Sequence, residues 1–95
     1  MKSNNIFTRI ASQVTIVIHS KTAYLSHVTI GKHAASAVLT LYNNSAGSGD
    51  VIATIDCATA GRAPLIYGCI CTSGITAVMS GGDADVTIMT EGPGV

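Results

Sequence analysis

The chain predicts an all-β fold, a small β-sandwich or jelly roll of about seven to eight short antiparallel strands. Three observations point there. Apolar residues recur at alternate positions in short runs, turns rich in Gly, Asn and Ser separate the runs, and no apolar period of 3.6 residues runs long enough to build a helix that could cover a sheet.

The clearest unit is Val38 to Cys57, VLTLYNNSAGSGDVIATIDC, in which Val38–Tyr42 and Val51–Ile55 flank the polar segment Asn43–Asp50. β-branched residues suit a pleated, half-buried surface, while Asn, Gly and Asp tolerate the positive φ angles of turns, so this is a strand-loop-strand unit.

The remaining elements follow in order. Residues 1–12 form an extended N-terminal arm carrying Ile6, Phe7 and Ile10, and residues 13–95 form a single β domain. The arm is either an edge strand laid on its own sheet or a strap reaching a neighbour. Gln13–His19 alternates Val14, Ile16 and Ile18 against Thr15, Val17 and His19. In Ala23–Ile30, Tyr24, Ser26, Val28 and Ile30 share one face, and the oppositely placed Leu25 suggests a bulge or a second half-buried surface. GKHAAS connects to the central unit, and ATAGRAP turns out of it. Leu65–Thr72 then sets Leu65, Tyr67, Cys69 and Cys71 against Ile66, Gly68 and Ile70. Ser73-Gly74 turns into Ile75–Met79, and Gly81-Gly82-Asp83 turns into Asp85–Thr90. In the tail EGPGV, Pro93 lacks the donor that a ladder needs.

Composition narrows the function classes. Hydrophobic residues make up 47% and charged residues 11%, with five basic residues balancing five acidic ones. A neutral, sparsely charged exterior does little to keep copies apart, which suits a subunit of an assembly. Lys2, Arg9, Lys21, Lys32 and Arg62 are scattered, so no basic patch for nucleic acid is expected. No run approaches the roughly 20 apolar residues of a membrane span, and MKSNNIFTR lacks a signal-like apolar segment, so synthesis in the cytoplasm is expected. Cys57, Cys69 and Cys71, an odd number without a CxxC, read as reduced apolar residues.

No catalytic site, cofactor or metal is expected. His19, His27 and His33 lie in separate segments, and Asp83 and Asp85 in GGDADV lack the further oxygens of a calcium loop. Asp50 and Asp56 flank a strand in the same way. No GxSxG-like motif organises a nucleophile. Two sets of contact candidates remain: Ile6, Phe7 and Ile10 on the arm for a protein partner, and Tyr42, Asn43 and Asn44 beside the long loop, where an aromatic ring could stack on a sugar.

VLTLYNNSAGSGDVIATID followed by PLIYGCICTSGITAVMSGGDADVTIMTE resembles small β-domain structural proteins of tailed bacteriophages and prophages, over residues 23–91. Cys69, Cys71, Met79 and Met89 depart from that pattern, Met79 and Met89 standing where it has β-branched residues. The resemblance implies a virion structural protein, such as a capsid decoration or cement protein. It would bind the major capsid protein or other virion proteins as a homo-oligomer, often a trimer. A tail, fibre or adaptor component, or a host-glycan-binding module, is the alternative it leaves open.

Overall fold

Alternation becomes pairing in the computed structural model, which describes residues 5–59 and 64–91. Residues 1–4 of the arm, residues 60–63 of the ATAGRAP turn and the tail beyond Glu91 lie outside the described residues. The strands are β1 (Asn5–Ile10), β2 (Val14–His19), β3 (Ala23–Lys32), β4 (Val38–Asn43), β5 (Asp50–Asp56), β6 (Leu65–Cys71), β7 (Ile75–Ser80) and β8 (Asp85–Glu91). No helix forms among the described residues.

Two four-stranded antiparallel sheets result, in the orders β1-β8-β3-β6 and β2-β7-β4-β5. The pairings β1·β8, β2·β7, β3·β6 and β4·β5 are those of one long hairpin with the β4–β5 loop at its tip. Folding that hairpin across itself adds β3·β8 and β4·β7, which is the jelly-roll arrangement. The first of the two readings of the arm therefore holds for residues 5–10: they are an edge strand, paired along their whole length with β8.

The inward rows of the two sheets make one core. Leu25, Val28, Leu39, Leu41, Ile75 and Ile88 are fully buried. Each side chain of this size contributes roughly 1.5–3 kcal/mol by leaving water. The bulge suggested by Leu25 is present: the register of β3 against both neighbours shifts between Leu25 and His27, which turns Leu25, Val28 and Ile30 inward together. The face-sharing set read from strict alternation is corrected accordingly, because Tyr24 points outward and Ser26 occupies the bulge.

Turn chemistry holds the two ends of the sandwich. The β7–β8 turn packs on the β3–β4 connection so closely that a Cβ on Gly81, whose φ is +81°, would overlap the Ser36 carbonyl oxygen. Gly31, by contrast, would place a Cβ in ordinary contact, 3.6 Å from the Asp85 carbonyl oxygen. Gly81→Ala is therefore expected to destabilise the fold by at least ~2 kcal/mol and to lower Tm by on the order of 10 °C. Gly31→Ala should stay within about 1 kcal/mol of wild type. Thermal unfolding of the two variants checks this.

Candidate functional site

Each sheet buries one face and presents the other, and the two outer faces are treated differently. On the second sheet the loop between β4 and β5 folds back over the strands. Gly47 sits where an added Cβ would lie 3.2 Å from Val78 Cγ2 and 3.4 Å from Thr15 Cγ2. Thr76, outward on β7 yet fully buried, donates its hydroxyl to the Asn44 carbonyl at 2.8 Å. The loop is braced internally: Asn44 Nδ2 donates to the Ser48 carbonyl (2.8 Å), Asn44 Oδ1 accepts from the Ser45 N–H (2.8 Å), and Asn43 Oδ1 accepts from the Ser73 N–H (2.9 Å).

The first sheet has no such cover among the described residues. Register places Phe7 beside Met89, Met89 beside His27, and His27 beside Ile66, a single row across all four strands. The neighbouring row carries Glu91, Tyr24 and Ile70. Phe7 is 69% exposed, Ile66 81% and Ile70 67%. Gly68, with φ +57°, leaves room for the Tyr24 ring: an added Cβ would stand 3.2 Å from the Tyr24 hydroxyl oxygen, so the phenol lies across β6 between the two isoleucines. The result is a contiguous apolar face, which a soluble domain ordinarily reserves for contact.

Charge on this face lies toward its ends, Glu91 at one and an ion pair at the other. At the latter end Arg9 Nε and Nη2 donate to the two Asp85 carboxylate oxygens at 2.9 and 2.8 Å. The Arg9 hydrogen bond, with Lys32 nearby, holds the Asp85 carboxyl below the usual carboxylate range. At the centre of the row, His27 Nδ1 is 3.0 Å from Ser26 Oγ. No carboxylate among the described residues joins that pair to complete a proton relay.

The arm candidates divide by pleat. Phe7 is on the outer face, Ile6 points inward at the sheet edge and is partly exposed, and Ile10 belongs to the core at 1% exposure, which removes it from any contact surface. Tyr42 is half-buried on the outer side of β4. The Asn43 and Asn44 side chains are occupied in bracing the loop and neighbouring turn. Met89, His27, Tyr24, Ile66 and Ile70, which no motif marked, complete the face that Phe7 begins.

Several of the polar residues weighed for chemistry have structural partners. His19 Nε2 lies 2.9 Å from Thr90 Oγ1, a link from the second sheet to the first, and the Thr90 hydroxyl reaches the Ile6 carbonyl at 3.4 Å. Asp83 accepts from the Gln13 N–H at 3.0 Å, and Asp56 accepts from the Ala58 N–H (2.9 Å) and the Thr59 hydroxyl (3.0 Å). His33 lies in the β3–β4 connection. No three His, Cys, Asp or Glu side chains among the described residues gather as a metal site would require. The three thiols are free, and burial raises both Cys57 and Cys71. Cys71, with Cys69 beside it, is pushed up to about 11, so it is a neutral, unreactive thiol at pH 7.

Compared with known proteins, the chain matches no family, no curated protein and no solved structure. Its surface chemistry must therefore be read from its own geometry.

The His19–Thr90 link has a pH signature. Burial lowers His19 below its ordinary value of 6.5, so the unfolded chain binds its proton first as pH falls. The stability tied to neutral His19 is whole above about pH 6.5 and is lost as pH drops toward the lowered value. Asp56 and Asp85, both lowered from 3.8, act in a separate window below that value. Tm should thus begin to decline as pH falls below about 6.5, and His19→Gln should flatten that decline while leaving the carboxylate limb below pH 3.8 in place. A wild-type Tm that is level from pH 7 to 5 contradicts this account.

Proposed function

We propose that this chain is a non-enzymatic structural subunit of a tailed-bacteriophage virion, a capsid decoration protein that docks on the head through the outer face of its first sheet. The observation that carries the proposal is the row Phe7–Met89–His27–Ile66, extended by Tyr24 and Ile70, which holds the three most exposed large apolar side chains among the described residues, on a domain whose other outer face is partly covered by its own loop. The resemblance over residues 23–91 supplies the setting. Jelly rolls serve viral shells, lectins and sugar- or metal-binding enzymes alike, so topology alone does not choose among these.

Three further features favour docking over ligand chemistry. The buried thiols are poor nucleophiles. The polar groups of Asn43 and Asn44, which a glycan would need, are engaged within the loop and its neighbouring turn. A charge content of 11% with zero net charge also suits permanent contacts repeated over a particle. Cementing would then act by multiplicity: each face buries a modest apolar area, and repetition across the shell's symmetry axes sums these contacts.

Quantitative mass spectrometry of purified virions tests the proposal. A head decoration protein should be present in hundreds of copies per particle, and Phe7→Ala with Ile66→Ala should cut occupancy at least ~tenfold without lowering Tm. A few copies up to a few tens would move the chain to the tail or its fibres. Absence from particles would overturn the virion reading.

A further inference from the structure

We propose that in the free protein the outer face of the first sheet is closed by a second copy of the same chain, packed face to face about a two-fold axis running along the strands. This rests on reading that face as a contact surface, and not on the chain belonging to a virion.

The register makes the face complementary to itself. The sheet order is β1-β8-β3-β6, so an axis between β8 and β3 lays β1 over the partner's β6 and β8 over the partner's β3. Within the one row, Phe7 then meets the partner's Ile66, and Met89 meets the partner's His27, an S–aromatic contact. In the next row Glu91 comes over the partner's Tyr24, which sets a carboxylate near a phenol, and the two Glu91 side chains flank the axis at the end of the face. Each contact occurs twice. At the opposite end Arg9 and Asp85 neutralise each other within each copy.

Symmetry selects a pair over a ring. A closed pair needs one patch that fits itself, whereas a trimer is heterologous and needs two different patches that fit each other. The three most exposed large apolar side chains among the described residues, Ile66, Ile70 and Phe7, all lie on this one face, while the second sheet shows only the smaller Val17 and Val51 beside the part that its own loop covers. Size sets the strength. About a dozen outward positions make up the face, roughly half of what one partner contributes to a standard stable interface, so the pair is weak and exchangeable. That suits a face that shell and second copy would occupy in turn.

Sedimentation of the isolated full-length chain from ~1 µM to ~1 mM tests the pairing. The expected result is a reversible monomer–dimer equilibrium. Phe7→Lys alone and Ile66→Asp alone should each weaken it at least ~tenfold, with Tm unchanged because both side chains are exposed. The double variant should recover dimerisation, since the introduced lysine faces the introduced aspartate across this axis and no other in-plane axis brings those positions together. A monomer throughout the range, a trimer, or a double variant no tighter than the single ones would overturn the proposal. Virion occupancy is a separate readout, so a chain that dimerises but is missing from particles sinks only the virion reading.

Discussion

Closure of one long hairpin upon itself is the constraint from which the rest follows. Because β1 returns to β8 and β4 turns directly into β5, every strand gives one row of side chains to a single shared core and one row to the outside. A domain of 95 residues is stabilised by this one core, so its stability depends on the inward rows being largely apolar, as Leu25, Leu39, Leu41 and Ile88 are, with Thr90 the inward polar exception, satisfied by His19 and Ile6. The outward rows are then free to differ. On the second sheet they mix Thr with Val, and a loop whose backbone satisfies Thr76 roofs part of them, leaving Val17 and Val51 exposed. On the first, Phe7, Met89, Tyr24, Ile66 and Ile70 form an apolar centre, with His27 among them and Glu91, Arg9 and Asp85 toward the ends. An apolar outer row adds only modest cross-strand pairing to the folding of an isolated chain, so most of its value lies in contact.

Much of the fold was legible from local chemistry. The strict alternation of Leu65–Cys71 separates the inward Leu65, Tyr67, Cys69 and Cys71 from the outward Ile66 and Ile70, and the structure follows it. The Asn- and Gly-rich segment after Tyr42 marks a turn because those residues accept its backbone angles. Leu25, out of phase with its neighbours, signalled the bulge that re-phases β3. In each case the determining interaction lies within a few residues of the signal.

What was not legible depends on partners far away in sequence. Residues 5–10 could be a strand or a strap, because the deciding contact is with β8 at the other end of the chain. Once that pairing is made, pleat alone sends Ile10 to the core and Phe7 to the surface. The row joining Phe7 to Ile66 through Met89 and His27 exists only when three separate registers are fixed, and no linear motif encodes it. The same holds for the loop covering the second sheet: nothing local to Asn43–Gly49 says that it will lie on Thr15 and Val78. The candidate site was thus half seen, with Phe7 found by its chemistry and its neighbours hidden by topology.

Methionine oxidation offers the most direct test of the central claim that the outer face of the first sheet is the working surface. Met89 lies within that face, and Met79 is buried in the core at 2% exposure, so each molecule carries its own control. The rate of sulfoxide formation by peroxide is compared between the dilute chain and the chain in its assembled form. The account predicts that assembly slows oxidation of Met89 severalfold while Met79 resists in both states. Equal oxidation of Met89 in both, with Met79 still protected, would mean that the assembled protein uses another surface and that the apolar face is not its point of contact.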